Sequence, residues 1–236
     1  MKLPEKRKKR KSRITIDEIN RYTLRSKVLK GVATAASIIL AIIYLFAILY
    51  EQNGSFTVSV NKHEMVKYGL SLCENRDLKS LTSVLNMRID EQITNISQED
   101  LPKNLDNIDG AHCGDNYLAF TFYLYNASDV DTLSYEWQIK VSNISNGIDE
   151  AIRIRHYING TPTTYAKTSS DGSGPEPGTT EFYSTDIIAR GRVDDFVAGG
   201  VTKNTLVVWL EGPDPDCLDW IKGGQMYVEM DISVVH

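Results

Sequence analysis

The sequence of residues 117–125 is YLAFTFYLY, in which Leu118, Phe120, Phe122 and Leu124 alternate with the residues between them. Because successive side chains of a β-strand point to opposite faces, this spacing is typical of a strand with one strongly apolar face. Such a face has to be covered by another layer of structure. The segment therefore predicts a sheet that packs against a second layer.

Similar alternation predicts further strands on both sides of this segment. They are Phe56–Val60, Ser134–Val141, Ile152–Tyr157, Leu206–Leu210 and Met226–Val235. Clusters of turn-forming residues separate them at Asn126–Asp131, Asn159–Thr163, Gly172–Gly178 and Gly212–Pro215. Short strands at this spacing, without alternating helices, indicate an antiparallel β-sandwich. We therefore expect one mainly β domain over residues 51–236.

A short helical insertion is predicted within this domain, over residues 78–96. The apolar residues of this segment recur near helical spacing: Leu78, Leu81, Val84, Leu85, Ile89, Ile93 and Ile96. The loop Pro102–Gly110 then follows it.

An apolar segment precedes the β domain. Residues 31–50 contain no charged side chain and are rich in Ile, Leu, Ala and Val. A helix of this length spans about 30 Å, which is the thickness of the hydrocarbon core of a bilayer. The sequence therefore predicts one transmembrane helix at residues 31–50, through which the protein binds a membrane.

Charge is distributed very unevenly along the chain. Residues 1–30 contain 12 Lys and Arg against three acids, whereas the other 206 residues contain 14 Lys and Arg against 28 acids. Seven of the basic residues lie within Lys6–Arg13. Because basic flanks stay in the cytoplasm, we expect residues 1–30 inside and residues 51–236 outside a single-pass protein of the cell membrane. The acidic domain argues against binding to nucleic acid.

The apolar segment could be either a cleaved signal peptide or a retained signal anchor. Signal peptides end in small residues at a cleavage site and have short basic regions. The tripeptide at 47–49 does not meet this requirement, the one at 52–54 meets it only in part, and the basic region is long. We favour a retained signal anchor.

Four stretches of the chain resemble the TasA/camelysin group of Gram-positive surface proteins. They are Phe56–Val60, Ala119–Ala127 (AFTFYLYNA), Ile148–Arg153 (IDEAIR) and Val207–Cys217 (VVWLEGPDPDC). The resemblance implies a jelly-roll β-sandwich with helical insertions, exported by a Gram-positive bacterium and associated with surface fibres or biofilm matrix. Members of the group usually lose their apolar N-terminal segment to a dedicated signal peptidase, whereas a long basic region precedes it here. The resemblance therefore implies the fold more directly than it implies secreted fibres.

The resemblance also raises the question of a metalloprotease, because camelysin-like proteins are associated with that activity. A zinc-protease helix needs two His four residues apart with a Glu between them. Here His63-Glu64 is followed by Lys67 at the position of the second ligand. The sequence also contains no Gly-x-Ser-x-Gly motif and no phosphate-binding loop. We expect no catalytic residues, no cofactor and no small-molecule substrate, so a hydrolase is the least favoured function.

Three acids after the predicted strand Leu206–Leu210 are candidate calcium ligands. Asp214, Asp216 and Asp219 place carboxylates at near-alternating positions in a turn, and Ca²⁺ prefers oxygen ligands. The segment lacks the glycine and terminal Glu of an EF-hand loop. The alternative is that the adjacent prolines make a rigid turn in which these acids are solvated.

The three cysteines, Cys73, Cys113 and Cys217, all follow the predicted span. Export permits disulfides, but an odd number leaves one thiol over. A bridge between Cys113 and Cys217 is the first choice among three pairings, and three reduced thiols are the alternative.

The function predicted from these features is that of a membrane-anchored or exported cell-surface structural or adhesive protein. The alternative is an anchored ectodomain that binds Ca²⁺ or a glycan. Tyrosines on the predicted strands could provide a platform for a sugar or could pack within the sheets. They include Tyr117, Tyr123, Tyr125 and Tyr135.

The segment Phe56–Val60 is a candidate for self-association, which we expect in a chain that begins near Gly54 and which a retained anchor would hinder. It follows the predicted span after only a short linker. If it forms an exposed edge strand, its unpaired N–H and C=O groups can add to the sheet of a second molecule.

Overall fold

The computed structural model describes residues 16–50, 55–88, 93–128 and 132–235. The chain divides into two compact units, Met1–Gln52 and Asn53–His236. Residues 1–15 of the predicted basic tail, residues 51–54 and 89–92, residues 129–131 of a predicted turn, and residue 236 lie outside the described residues.

The first unit contains one long helix, α1, at Ile16–Tyr50. Its 35 residues correspond to about 52 Å, so it begins well before the predicted span. Within it, the 18 residues Lys27–Tyr44 are long and apolar enough to cross a membrane. The structure thus contains an N-terminal helix suited to a bilayer by its length and composition.

The second unit consists of thirteen described strands and short helices. The strands are β1 (Ser55–Val60), β2 (Leu70–Cys73), β3 (Val84–Arg88), β4 (Asn95–Ile96), β5 (Gly110–Ala111), β6 (Tyr117–Asn126), β7 (Thr132–Ser142), β8 (Ile152–Ile158), β9 (Thr161–Ala166), β10 (Thr180–Glu181), β11 (Ile187–Val197), β12 (Val201–Glu211) and β13 (Tyr227–Val234). The α-helix of this unit is α2 (Lys62–Tyr68), and 3₁₀ turns lie at Gln98–Asp100, Leu105–Asn107, Ile148–Glu150 and Asp219–Ile221. The strand predicted at residues 117–125 coincides with β6. Each of the five other predicted strand segments likewise overlaps one of these strands.

The strands form two sheets. The five-stranded sheet has the order β11-β7-β13-β1-β3, and the larger sheet has the order β10-β9-β8-β12-β6-β2 with β4 paired to β12 and β5 to β6. The prediction of purely antiparallel sheets is wrong, because both sheets are mixed. The pairs β1–β13, β9–β10 and β4–β12 are parallel. Long connections allow these parallel pairings, because parallel strands need a crossover connection whereas antiparallel strands can be joined by a short turn.

The two sheets pack face to face around one apolar core. Phe56 of β1 and Phe120 of β6 meet across it in an edge-to-face arrangement, with ring centroids 5.6 Å apart. Alternate residues of both sheets fill the rest of this core, among them Val58, Leu85, Phe122, Leu124, Ile139, Ile154, Leu206, Val208, Met230 and Ile232. The mainly β sandwich predicted from the alternation is confirmed at this level.

A second, smaller apolar cluster covers the outer face of the larger sheet. Val207 and Trp209 of β12 lie there with Ala119 of β6, under Leu101 and Leu105 of the segment that follows β4. Trp209 is fully buried. The uninterrupted apolar run of β12 therefore reflects a strand that is buried on both faces.

The predicted helix over residues 78–96 is wrong in the part that the structure describes. Leu85 and Met87 of β3 are buried while Val84 and Asn86 face outward, which is a strand pattern. Leu78 adopts a left-handed backbone, with φ of 53°, and Leu81 is exposed. Pairing with β1 outweighs the local helical spacing, since β-structure depends on partners distant in sequence.

The short helix of the domain instead is α2. The side chain of Asn61 caps its first turn by accepting a hydrogen bond from the N–H of His63 at 2.9 Å. Gly69 ends it with φ of 73° and donates its N–H to the carbonyl of Met65 at 3.0 Å. A Cβ at Gly69 would also lie within 2.5 Å of the backbone of Ser128, so this position requires glycine.

The expectation that Phe56–Val60 forms a free edge strand is also wrong. Strand β1 pairs in parallel with β13 and antiparallel with β3, so both of its edges are occupied. Phe56, Val58 and Val60 are buried in the core. The edges of this sheet are formed by β11 and β3 instead.

A buried histidine joins the two sheets. His156 of β8 shares a hydrogen bond of 3.0 Å between its Nε2 and the Oδ1 of Asn204, and its ring meets Trp137 of β7 edge-to-face with centroids 4.9 Å apart. Burial lowers the pKa of His156 to about 4, and the hydrogen bond to Asn204 offsets only part of this effect. The native domain therefore holds His156 neutral.

We predict that the free energy of unfolding falls as the pH is lowered from 6.5 to 4. In this window the unfolded chain protonates His156 and the native domain does not, so the unfolded state binds more protons and gains stability. The loss should reach about 3 kcal/mol near pH 4 and level off below it. Urea unfolding between pH 7 and 4 measures it, with the variant His156→Gln as the control. An equally steep fall in that variant would assign the effect to other groups.

Candidate functional site

An apolar pocket of about 660 Å³ lies between the two sheets at one end of the sandwich. This end pocket is located where β1 and β13 begin and β3 ends, because Ser55, Met87 and Val228 line it. Leu118, at the start of β6, lines it from the larger sheet, together with Ile152 and Val208. Binding sites for small molecules have volumes of about 300–1,000 Å³ and are mostly apolar, and the end pocket has both properties.

One continuous segment closes the end pocket. Except for Trp220, every residue from Cys217 to Met226 lines it, and we call residues 217–226 the closing segment. Gly223 has φ of 72°, which permits the sharp turn there. At Gly224 a Cβ would lie 2.8 Å from the Cβ of Ile148, so glycine lets the closing segment approach the 3₁₀ turn at Ile148–Glu150.

The lining carries little charge. Of the described residues that line the end pocket, two are charged, Asp219 and Lys222. Their side chains are exposed at the rim and pair with each other at 2.6 Å. The neutral polar side chains of the lining are those of Ser55, Thr94, Asn95, Cys217 and Gln225. Such a site can accept an apolar group by removing it from water, and it offers few partners to a strongly polar ligand.

A second cavity, of about 460 Å³, has the opposite character. It lies against β7, β11 and β13 and is lined by charged and polar side chains that include Glu136, Arg190, Arg192 and Asp231. Arg192 is already paired with Asp194 at 2.8 Å and lies 3.5 Å from Glu136. Asp231 is paired with Lys140 at 2.6 Å, and the guanidinium of Arg190 lies over the ring of Tyr183. These charged groups already have partners within the chain, so the end pocket is the better candidate site.

The structure does not bring together the three candidate calcium ligands. Asp214 is buried and pairs with Arg153, while its Oδ1 accepts the N–H of Asp216 at 2.7 Å. Asp216 accepts two hydrogen bonds from Ser170, one from its hydroxyl at 2.6 Å and one from its N–H at 3.0 Å. Asp219 is exposed and pairs with Lys222 instead. Their oxygens are thus used within the chain, which the sequence did not indicate because Arg153 and Ser170 are distant in sequence.

Arg153 organises this buried cluster. It projects from β8 on the outer face of the larger sheet and is almost completely buried. Its guanidinium pairs with Asp214 and, at 2.5 Å, with Glu176, and it also donates to the carbonyl of Ile152 at 3.0 Å. The Ser170 hydroxyl and Asp216 extend the cluster, so it attaches the loop after β9 to the turn before the closing segment.

No group of three or more His, Cys, Asp or Glu side chains in the described parts of the chain is arranged to hold a metal ion. Glu64 accepts the N–H of Val234 at 3.0 Å, which gives it a structural partner. The ring nitrogens of His112 lie 2.8 Å from the carbonyl of Gly110 and 2.6 Å from that of Leu105. Among the four predicted strand tyrosines, Tyr135 is buried in the core between the sheets, and the buried Tyr123 donates its hydroxyl to Oδ1 of Asp109 at 2.6 Å.

The predicted bridge between Cys113 and Cys217 is not formed in the structure. All three cysteines are free. The Sγ of Cys113 lies 3.9 Å from the Sδ of Met87, whereas the Sγ of Cys217 accepts a weak hydrogen bond from Asn95 at 3.8 Å. The two thiols therefore have different neighbours, and Cys217 lines the end pocket while Cys113 does not.

No protein-family model matches the sequence, and no curated protein matches it. Among solved structures, two of a β-glucosidase from Kluyveromyces marxianus are similar over 68% of this chain at 13% identity. One is a complex with glucose and the other is selenomethionine-labelled, and their TM-scores are 0.22 and 0.24. The chain covers only 15% and 17% of the length of those chains.

We predict that Asp214→Ala strongly destabilises the domain and that Asp219→Ala does not. Removing Asp214 leaves the buried guanidinium of Arg153 with one of its two carboxylates, and breaking a buried ion pair typically costs about 3–5 kcal/mol. Asp219 is exposed, so its removal should leave the melting temperature nearly unchanged. Thermal unfolding of both variants, with and without added Ca²⁺, measures this. A rise in melting temperature with Ca²⁺ that both substitutions abolish would instead support a calcium site.

Proposed function

We propose that this chain is a membrane-anchored surface protein whose β-sandwich binds an apolar group in the end pocket. The single observation that carries the proposal is the apolar, nearly uncharged lining of this pocket. Of the two predicted functions, it supports the ligand-binding ectodomain, with an apolar ligand in place of Ca²⁺ or a glycan.

The anchoring part of the proposal rests on α1 and on charge. A helix with an apolar window at Lys27–Tyr44 precedes an acidic domain, and the residues before that window are strongly basic. By the positive-inside rule this arrangement supports a cytoplasmic N-terminus and an external domain. The jelly-roll topology and the kinship with the TasA/camelysin group are finer proposals, supported by the four sequence stretches and by the two-sheet architecture.

The driving force for binding is removal of apolar surface from water. Each 100 Å² of ligand surface that enters the end pocket contributes about 2.5 kcal/mol, before the cost of association is subtracted. Specificity for apolar groups follows because a charged group would lose its hydration without finding a partner of opposite charge in the interior of the pocket.

We predict that an apolar ligand protects Cys217 from alkylation. Cys217 is half-buried and lines the end pocket, so a bound molecule should slow its reaction with a maleimide. The test uses a Cys113→Ser chain and the neutral fluorophore N-phenyl-1-naphthylamine, with labelling rates measured by mass spectrometry. Protection should be severalfold and should saturate together with the fluorescence.

Matched variants make this test specific. Leu210→Phe narrows the end pocket and should reduce both binding and protection. Leu133→Phe makes the same change at the start of β7, at the other end of the sandwich, and should change neither. In a Cys217→Ser chain, Cys113 should react at the same rate with and without the fluorophore. Fluorophore binding that leaves Cys217 unprotected, or that Leu210→Phe does not weaken, would contradict the proposal.

The structural or adhesive role is a second proposal, and one observation favours it. Strand β1 is inserted between β3 and β13, and its buried side chains complete the core. Because it is the first strand of the domain, an identical strand from a second molecule could occupy the same place with the same contacts, as in domain swapping. Surface assemblies would then grow by exchange of β1 rather than by addition to an open edge.

We predict that a chain without residues 1–61 recovers its native near-UV circular dichroism when a peptide of residues 54–61 is added. The peptide supplies the three apolar residues and both ladders that the five-stranded sheet has lost. A peptide of the same composition with Phe56, Val58 and Val60 moved to the other face should not restore the signal. Failure of the native peptide would argue against exchange of β1 and against this route to assembly.

A further inference from the structure

We propose that the occupant of the end pocket is an acyl chain of a phospholipid from the membrane in which the protein is anchored. This inference rests on the proposed binding of an apolar group and names its chemical class. Three features of the described residues support it: the position of the pocket along the chain, the outer surface of the closing segment, and the chemistry of the lining.

The end pocket lies at the end of the sandwich that follows the anchor. Ser55 is the first residue of β1 and lines the pocket, and β13 begins beside it because Ser55 pairs with Tyr227. Only residues 51–54 separate Ser55 from Tyr50, the last residue of α1. Two residues that line the pocket, Ser55 and Phe56, are therefore the first described residues of the domain after the proposed anchor.

The closing segment presents apolar side chains on its outer surface as well. Leu218 and Trp220 are each 51% exposed, on either side of Asp219. Trp is enriched where protein meets the interface of a bilayer, since its ring is apolar and its N–H is polar. The ion pair of Asp219 and Lys222 lies on the same segment and suits the polar headgroup layer. This surface is therefore compatible with contact to the bilayer directly beside the pocket.

The lining suits an acyl chain better than it suits an apolar molecule that carries polar groups along its length. Its interior is formed by side chains such as Phe56, Phe120, Leu206 and Met226, and its charged groups are confined to the rim. An acyl chain carries no hydrogen-bonding group beyond its ester, so it needs no polar partner inside. The headgroup can remain at the rim in water.

Cross-linking within a bilayer tests this proposal. The full-length chain is placed in nanodiscs that contain a phospholipid with a diazirine at the end of one acyl chain, and cross-linked residues are mapped by mass spectrometry. We expect adducts on residues of the end pocket, such as Met87, Leu118 and Met226, in addition to adducts on α1. A phospholipid with the diazirine in its headgroup should label the rim and not the interior.

The variants described above serve as controls. Leu210→Phe should abolish most adducts in the end pocket, while Leu133→Phe should leave their yield unchanged. Trp220→Ser, which alters the outer surface and not the lining, should lower the yield severalfold if the closing segment contacts the bilayer.

The outcomes separate this inference from the proposed function. Adducts confined to α1, or to α1 and Trp220 outside the pocket, would overturn the assignment of an acyl chain. If the neutral fluorophore still protects Cys217 under those conditions, the pocket binds apolar ligands from another source and only this inference fails. If neither protection nor adducts are found, both proposals are wrong.

Discussion

The domain depends on the burial of β12 on both of its faces. On the inner face, Leu206 and Val208 pack in the core between the sheets. On the outer face, Val207 and Trp209 are covered by Leu101 and its neighbours. A strand buried on both faces cannot be held by a simple two-layer sandwich, because its second face would remain in water. The long connection between β4 and β6 is therefore a third layer, which the burial of β12 requires.

The same constraint explains the buried ion pairs. Arg153 lies beside Trp209 on the outer face of the larger sheet, in the register of β8 and β12. A guanidinium removed from water has to be neutralised, and Asp214 and Glu176 do so. Asp214 belongs to the turn that leads from β12 into the closing segment, while Glu176 belongs to the loop after β9. Through these two ion pairs, Arg153 of β8 therefore positions the closing segment, which forms one side of the end pocket.

Much of the fold could be predicted from the sequence, and the predictions that are wrong have a common cause. Strands such as β6 and β13 can be predicted from a local signal, the two-residue alternation of their apolar side chains, and their existence is confirmed. The apolar residues around β3 recur near helical spacing and so predict a helix, whereas the structure of this segment is decided by pairing with β1. The partners of Asp214 and Asp216 could not be predicted for the same reason, since Arg153 and Ser170 are far away in sequence. The end pocket could not be predicted, because its lining comes from both sheets and from a closing segment without periodicity.

An open apolar pocket of this size costs the domain stability, and this cost bears on the function of the pocket. Side chains that line a cavity lose the dispersion contacts that a filled core provides, and water inside it finds few hydrogen-bonding partners. The chain could fill this space with a larger residue at Cys217 or Leu210, both of which line it and are only partly buried. Instead, two glycines let the closing segment turn across the end of the sandwich and leave the space beneath it open. The sandwich is therefore less stable at this end than its strands would allow, and binding of an apolar group would restore the contacts that the open pocket lacks.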